Sequence, residues 1–381
     1  MFSMFLLLFI FINFYVFLRG WQAIPPGFRL AYAVLYWVVA FSFFIGRLLE
    51  NVFPSLLADA FTWVGSFWFA ALLYLLLAVI LLDALRLANH FLPFFPAAVT
   101  SDYARAKCVT ALVVLGAVAL TLVGGYINAC TPRVRELELS VDKKAGSLKS
   151  LDIVMVSDIH LGTIIGRSRL QPLIEKINAL HPDIVLMPGD MVDGDIGPVI
   201  RKNLGEELRS LRAGYGIFAS TGNHEYIGGV EEACRYLNDH NITMLRDEGV
   251  KVADAFFVIG REDRSMNRRG GQRKDLKEIA NTIAATSTDV DRELPVILLD
   301  HQPFDLGEAA AAGVDLQLSG HTHYGQLWPL NYVVKAIYEL AWGYKRIGAT
   351  HYYVSNGVGT WGPPVRVGNR PEIVRIRLNF R

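Results

Sequence analysis

Long runs of apolar side chains dominate the first third of the chain and predict four helices. Each run is about as long as a helix that crosses the ~30 Å hydrocarbon layer of a membrane. The only charged residue within their limits is Arg29, at the start of the second run, so none offers water a polar face, which argues against buried helices of a soluble protein. The predicted spans are Phe2–Leu18, Phe28–Ile45, Thr62–Leu82 and Val109–Ile127.

After about residue 150, short apolar, β-branched runs alternate with amphipathic segments. Five of these runs predict buried strands: Leu151–Ser157, Asp183–Pro188, Gly216–Ser220, Pro295–Leu299 and Val314–Leu318. Helical periodicity predicts helices at Arg167–Leu180, Val199–Leu211 and Val230–Asn241. Two further strands, Tyr352–Ser355 and Glu372–Leu378, follow without a clear helix between them. The mixture predicts parallel and antiparallel pairing in a layered α/β sandwich with helices outside.

Charge divides the chain at the same place. Residues 1–127 hold ten charged side chains, and residues 128–381 hold sixty-three. We therefore expect transmembrane helices over 1–130, a polar linker over 131–150 and an α/β domain over 151–381. The net charge of +1 gives no overall argument for a nucleic-acid partner, and none is expected.

Basic residues near the span ends predict the orientation in the membrane. Arg19 and Arg29 flank the first connection and Arg47 the second, while the third carries three basic residues: Arg86, Arg105 and Lys107. This distribution places the first and third connections in the cytoplasm. The basic residues after the last span argue the other way, but large domains translocate largely regardless of charge. We therefore predict a multi-pass protein of the cell (inner) membrane with its folded domain on the extracytoplasmic side.

Polar side chains follow all five predicted strands where each strand ends. The segments concerned are Asp158-Ile159-His160, Gly189-Asp190, Gly222-Asn223-His224-Glu225, Asp300-His301 and Gly320-His321-Thr322-His323. Open α/β sheets usually build their sites at this edge. Aspartate, imidazole and amide oxygen are the ligands that a centre with two divalent cations needs, and this mixed set does not choose between Mn, Zn, Fe and Mg.

In order and spacing, these segments resemble the motif set of the calcineurin-like metallophosphoesterases over roughly residues 150–360. The segment from Gly320 to Gln326 and the tail around Val354–Val358 resemble the membrane-associated bacterial branch of that family. The resemblance implies an α/β/β/α sandwich and a metal-dependent phosphoric ester hydrolase of the phosphodiesterase or pyrophosphatase type. Tyr324 departs from the pattern, because many relatives have glycine there, and we expect it to affect substrate access.

The resemblance also implies a role for each motif residue. One ion would be held by Asp158, His160 and His323, a second by Asn223, His301 and His321, and Asp190 would bridge both. His224 would bind no metal and would instead donate a hydrogen bond or a proton to the leaving oxygen. A hydroxide that bridges the ions would attack phosphorus in line.

Two segments allow two interpretations each. The basic segment Arg261–Asp275 predicts a solvated loop, or else a basic lip for anionic substrates or lipid headgroups. The apolar, aromatic segment Tyr332–Trp342 predicts a core helix, or else a surface that rests on a membrane. Core packing is slightly favoured for the second segment.

The leading hypothesis is a membrane-anchored phosphoesterase whose phosphate-ester substrate is a lipid, a lipid-linked molecule or another cell-envelope molecule. A linker of about twenty residues would hold its site close to the bilayer. The alternative is a membrane sensor or transporter whose metal-binding domain regulates. Against it, the predicted spans carry no ionisable residue of the kind that marks a transport pathway. A third hypothesis, an inactive scaffold, is disfavoured by the intact set of polar residues.

Overall fold

The computed structural model of the chain describes residues 2–286, 288 and 291–381. It divides into two compact units, one of residues 1–127 with 362–365, the other of 128–361 with 366–381. The α-helices of the described residues are α1 Phe2–Trp21, α2 Arg29–Val52, α3 Leu56–Phe91, α4 Ala97–Thr100, α5 Tyr103–Ala129, α6 Arg167–Asn178, α7 Gly197–Arg201, α8 Leu204–Leu208, α9 Asn223–Gly228, α10 Val230–Asn238, α11 Ser265–Arg268, α12 Leu276–Thr286, α13 Gly307–Ala311 and α14 Leu330–Ile337. The strands are β1 Arg133–Val141, β2 Ser150–Met155, β3 Ile184–Pro188, β4 Ile217–Ser220, β5 Thr243–Leu245, β6 Glu248–Val252, β7 Phe256–Gly260, β8 Val296–Leu299, β9 Leu316–Ser319, β10 Gly343–Ile347, β11 Thr350–Val354 and β12 Glu372–Phe380.

Four helices of the first unit, α1, α2, α3 and α5, are long and apolar enough to cross a bilayer. Each contains its predicted apolar run to within one residue and extends beyond it. Phe9, Ala40 and Val118 pack together inside this unit. Large apolar side chains such as Leu7 and Leu120 are exposed on its outside. That is the distribution expected when lipid covers the outer surface of a helical bundle.

Two six-stranded sheets form the second unit, and they confirm the predicted layered α/β sandwich. The first has the order β1-β12-β2-β3-β4-β5, and the second has the order β10-β11-β9-β8-β7-β6. Side chains from both sheets, such as Ile153 and Leu186 of the first and Val258 and Leu299 of the second, form one core. Helices α12 and α13 join a second core with the other side of the second sheet.

The sheet topology brings the ends of the motif-bearing strands together. Strands β2, β3 and β4 are parallel neighbours in the first sheet. Strands β8 and β9 are parallel neighbours in the second. Parallel neighbours end at the same edge of a sheet, so the segments that follow these strands lie at two adjacent edges.

The structure differs from the predicted linker over 131–150. Strand β1 lies in this segment and pairs in parallel with β12 over nine residues, from Arg133 with Glu372 to Val141 with Phe380. Leu139 and Val141 are buried, whereas the glutamates beside them are exposed. The exposed charged residues of this edge strand hide its alternating pattern in the sequence.

The predicted helix Val199–Leu211 is two short helices, α7 and α8. Asn203, between them, has a φ of 50°. This left-handed conformation cannot continue a right-handed helix, and asparagine tolerates it better than most residues do.

The structure also describes the two segments for which the sequence allowed two interpretations, Arg261–Asp275 and Tyr332–Trp342. In the basic segment, the side chains of Arg261 and Arg273 are each 5% exposed and both bond to Asp300, so these two arginines hold the segment to the strand end after β8. In the aromatic segment, α14 contains no buried residue. Val333 and Ile337 are 54% and 58% exposed, so the favoured interpretation of core packing is wrong.

Candidate metal centre

All eight predicted site residues lie in the segments that follow the strands at these two edges. Asp158 and His160 follow β2, Asp190 follows β3, Asn223 and His224 begin α9 after β4, His301 follows β8, and His321 and His323 follow β9. The fold therefore brings together residues that are up to 165 positions apart in the chain.

Unusual backbone conformations direct several of these side chains. Five of the residues have φ in the left-handed region, namely Asp158 (55°), His160 (55°), Asp190 (53°), His321 (71°) and His323 (46°). Side-chain-bearing residues seldom adopt this region, and such strain concentrates at functional sites. The turns place the side chains in one cluster instead of letting them alternate as they would in a strand.

Asp158, His160 and His323 form the first group of potential ligands. The Nε2 atoms of His160 and His323 lie 3.0 Å apart. His323 Nε2 lies 3.5 Å from Asp158 Oδ1, which also accepts a 2.8 Å hydrogen bond from His321 N–H. All three side chains are buried.

Asp190, His301 and His321 form the second group. His301 Nε2 lies 3.2 Å from Asp190 Oδ2, and His301 Nδ1 bonds to the carbonyl of Pro188 at 2.8 Å. This backbone bond orients the ring and leaves Nε2 for the cluster. His321 Nδ1 lies 2.7 Å from Asn223 Oδ1, so the predicted amide ligand is also at this group.

Asp190 lies between the two groups. Its Oδ2 is 3.7 Å from His160 Nε2 on one side and 3.2 Å from His301 Nε2 on the other. Asp190 and His160 also form a third group with His224, so by distance alone His224 is a further potential ligand.

The donor atoms suit divalent cations. Among the described residues, no hydrogen-bond partner reaches the buried atom Asp158 Oδ2. An unsatisfied buried polar atom is costly, and a bound cation would satisfy this one. A set of imidazoles, carboxylates and one amide does not choose between Mn, Zn, Fe and Mg.

Burial keeps several imidazoles in the neutral form that binds metal. It lowers the pKa of His160 to about 3, and His224 adds to this effect. Burial and the neighbouring His301 lower the pKa of His321 to about 4. The pKa of His323 lies well below its ordinary value because of burial, His160 and Arg366. Neutral imidazole has the free lone pair that a cation needs.

The pKa of His224 is shifted in the opposite direction, upwards. Burial acts to lower its pKa, but the carboxylates of Asp190 and Asp193 outweigh burial and raise it. His224 Nδ1 lies 3.2 Å from Asp193 Oδ1, and the ring stands edge-on to His160 with centroids 4.5 Å apart. A histidine whose surroundings favour its proton, beside the neutral rings of His160, His321 and His323, is suited to donate that proton.

Glu225 holds the loops after β3 and β4 in position through hydrogen bonds to their backbone. Its buried carboxylate accepts hydrogen bonds from the backbone N–H groups of Asp190 (3.1 Å), Val192 (2.9 Å) and Gly222 (2.8 Å). Burial and the nearby Asp190 raise its pKa to about 7. One side chain thus fixes both the potential bridging ligand and the start of α9.

Arg366 is a supporting residue that no sequence pattern indicates. It is almost fully buried, and its guanidinium donates to the carbonyls of Asn356, Gly357 and Gly359. Its Nη2 lies 3.1 Å from His323 Nδ1, and burial lowers its pKa to about 9. A single arginine in a loop carries no periodicity, so only the fold reveals its position.

Two further acidic residues near the motifs, Asp300 and Asp263, bond to side chains outside the cluster. Asp300 binds Arg261 and Arg273. Asp263 accepts hydrogen bonds from Ser265 N–H and the Gln302 amide. Both anchor loops.

A cavity of about 370 Å³ adjoins the second group. Asn223 and His321 line its inner end, and its walls include Arg268, Phe304 and Tyr338. It offers a phosphate ester both positive charge and aromatic surface next to the cluster.

The chain is similar in sequence to several known proteins. The family model described as calcineurin-like phosphoesterase matches residues 151–325. A metallophosphoesterase of Aquifex aeolicus is 33% identical over 68% of this chain and 96% of its own length. A transmembrane protein with metallophosphoesterase domain from Danio rerio is 34% identical over 68% of this chain. The match covers only 60% of that relative's own length. The solved 5'-nucleotidase precursor of Thermus thermophilus is 14% identical with a TM-score of 0.38, over 60% of this chain and 54% of its own.

Proposed function

The chain belongs to the calcineurin-like metallophosphoesterases, and on that premise we propose that it is a membrane-anchored hydrolase of phosphodiester or pyrophosphate bonds with a centre for two cations. The family implies a metal-dependent phosphoester hydrolase, and the described cluster contains the ligand types it requires. The proposed ligands are Asp158, His160 and His323 for one ion, Asn223, His301 and His321 for the other, and Asp190 for both.

The position of Asp190 is the observation that carries this proposal. A two-cation centre needs one short anionic side chain between two sets of ligands. Asp190 Oδ2 lies within 4 Å of the Nε2 atoms of both His160 and His301, one from each set. Two divalent cations, when bound, would activate a water molecule and neutralise charge on the phosphoryl oxygens.

His224 is the proposed proton donor to the leaving oxygen. Asp193 binds its Nδ1 and leaves the other ring nitrogen to face a substrate. The carboxylates of Asp190 and Asp193 raise its pKa and so favour the protonated ring. General acids of this kind typically contribute ~10²–10⁴-fold to a rate.

The proposed substrates are lipids or other cell-envelope molecules that carry a phosphodiester or pyrophosphate. Four helices that can cross a bilayer precede the catalytic domain in the same chain, so membrane substrates are always nearby. The cavity beside Asn223 and His321 has two arginines and three aromatic side chains in its walls, which suit a group attached to the reacting phosphate.

The catalytic domain is proposed to lie on the extracytoplasmic side of the inner membrane, on the evidence of the basic residues around the first and third connections. A reporter enzyme that is active only in the cytoplasm, fused after Arg381, should give no signal. A strong signal from that fusion would overturn the orientation.

The function is tested with the purified full-length protein in detergent. Metal-free protein receives Mn, Zn, Mg or Fe, and hydrolysis of an aryl phosphodiester, pyrophosphate and a lipid pyrophosphate is measured beside metal content. We expect H224A to lose most activity and keep its metals, and D190N to lose both. H181A, at an exposed histidine outside the cluster, is the matched control and should resemble wild type. If loaded wild-type protein hydrolyses none of the three substrates, the proposal is wrong.

A further inference from the structure

Helix α14 exposes the face that an amphipathic helix normally buries. Its apolar residues recur at helical spacing as Leu330, Val333, Val334 and Ile337. Leu330, Val333 and Ile337 are 39%, 54% and 58% exposed. In a soluble domain such a face packs on the core, and an exposed apolar patch beside polar residues marks an interaction surface.

Two tryptophans extend this apolar surface along the loops beside it. Trp328 lies just before α14 and is 49% exposed, and Trp361 is 56% exposed. Gln326 joins the two loops, because its side-chain amide donates to the carbonyl of Trp361 and its side-chain oxygen accepts from Trp361 N–H. Trp328 N–H donates to the carbonyl of Val367. The tryptophans are thus held at the surface by backbone bonds.

The same surface borders the candidate metal centre. The ring of Trp361 lies 6.1 Å from the ring of His224. Tyr338, at the end of α14, lies 6.0 Å from the ring of His321. A substrate whose phosphate is bound at the centre would therefore have the rest of its molecule near this surface.

We propose that α14 with Trp328 and Trp361, the α14 surface, docks onto the headgroup region of the lipid bilayer, so that the mouth of the metal centre opens at the membrane interface. The inference rests on the proposed function for its substrate, a membrane lipid with a hydrolysable phosphate. The bilayer contact itself depends only on the surface.

The residue types of the α14 surface and the short connection between α5 and β1 both favour a bilayer over a protein partner. Tryptophan and tyrosine prefer the membrane interface, and a lysine such as Lys335 can reach the phosphate layer while its stem stays apolar. Only three residues separate the end of α5 at Ala129 from the start of β1 at Arg133. Three residues span at most roughly 14 Å between these two Cα atoms. A bilayer is consequently always within reach of the domain that bears α14.

Spin-label depth measurement on the full-length protein in phosphatidylcholine nanodiscs tests this docking. Cys108, Cys130 and Cys234 are first replaced, and one label is attached at V333C or, as control, at E232C on the polar surface of α10. We expect the Val333 label to collide several-fold more with lipid-soluble oxygen, relative to a water-soluble nickel chelate, than the Glu232 label does. Equal ratios at the two positions would overturn the proposal.

A second copy of the chain is the main competing occupant. In detergent, concentration-dependent broadening of the Val333 signal would identify a self-association surface and would also overturn the proposal. Unbroadened spectra together with the oxygen preference in nanodiscs support the bilayer.

An activity ratio connects docking to catalysis. The substitution V333D places a charge on an exposed position and should lower hydrolysis of a bilayer-embedded phosphodiester several-fold more than hydrolysis of a soluble aryl phosphodiester. V333L should restore the wild-type ratio. An unchanged ratio in V333D contradicts the proposed role of the surface. If wild type hydrolyses neither substrate, the proposed function fails, while the depth measurement still decides whether α14 docks.

Discussion

The substitution of Glu225 by glutamine tests whether one buried carboxylate holds the loops of the candidate metal centre in place. One oxygen accepts from Asp190 N–H and Gly222 N–H, and the other accepts from Val192 N–H. Glutamine keeps the shape but has one carbonyl oxygen. If the amide oxygen takes the place of Oε2, glutamine keeps the bonds from Asp190 N–H and Gly222 N–H. Its NH₂ group then faces Val192 N–H, which loses its acceptor.

The expected loss follows from that one unsatisfied donor. A buried N–H without its acceptor costs about 1–3 kcal/mol. Relief of the repulsion between Glu225 and Asp190 offsets part of this loss, because that repulsion raises the pKa of Glu225. For a domain of this size, each kcal/mol shifts Tm by roughly 2–4 °C, so E225Q should melt several degrees below wild type.

Metal binding should weaken as well, because Glu225 positions the backbone of a proposed bridging ligand. Loss of a group that orients a ligand typically lowers metal affinity ~10–100-fold. Thermal unfolding and Mn²⁺ titration calorimetry on purified full-length protein measure the two effects. E232Q, at an exposed carboxylate of α10, is the matched control. If E225Q and E232Q melt together and bind Mn²⁺ equally, the carboxylate does not act as we argue.

Three further predictions concern the same centre. A Cβ on Gly320 would collide with the carboxylate of Asp158, so G320A should lose metal by elemental analysis, whereas G307A, where a Cβ meets nothing within 4 Å, should keep it. R366M leaves the buried carbonyls of Asn356 and Gly359 without their donor, while the Gly357 carbonyl keeps its bond from Glu372 N–H, and should lower Tm by an amount that corresponds to about 1–3 kcal/mol or more, and R377M at an exposed position of β12 should not. A chelator should lower the Tm of wild-type protein, since ligand at ~100 times its Kd stabilises by about 2.7 kcal/mol, and the same chelator saturated with Mn²⁺ should leave Tm unchanged; equal scans would show that no metal stabilises the fold.

The helices that can cross a membrane and the residues of the cluster could be predicted because their signals are local. An uninterrupted apolar run needs no tertiary information. His321 and His323 follow an apolar run directly, and the ends of parallel strands meet wherever the sheet places them. The clustering of the eight site residues is consistent with the roles that the family resemblance implies, and those roles stay predictions.

Other features could not be predicted with the same certainty because they depend on distant partners. Strand β1 does alternate, with Leu137, Leu139 and Val141 on one side, but its charged residues obscure that pattern in the sequence. Only its pairing with the distant strand β12 identifies it as a strand. The apolar face of α14 has the periodicity of a core helix, and periodicity does not reveal whether anything covers it. The importance of Arg366 comes from three carbonyls of a loop around it.

The pairing of β1 with β12 decides where the chain can be cut to obtain a domain free of the membrane. The family match begins at residue 151, and a chain trimmed to that point would lack all of β1. Strand β12 would then keep β2 on one side and present unpaired backbone groups along nine residues on the other. Open edges of this length promote strand-to-strand aggregation. A chain that begins at Thr131 keeps β12 paired and leaves β1, with its exposed Glu136 and Glu138, as the edge strand, so it should stay in solution where the shorter chain aggregates.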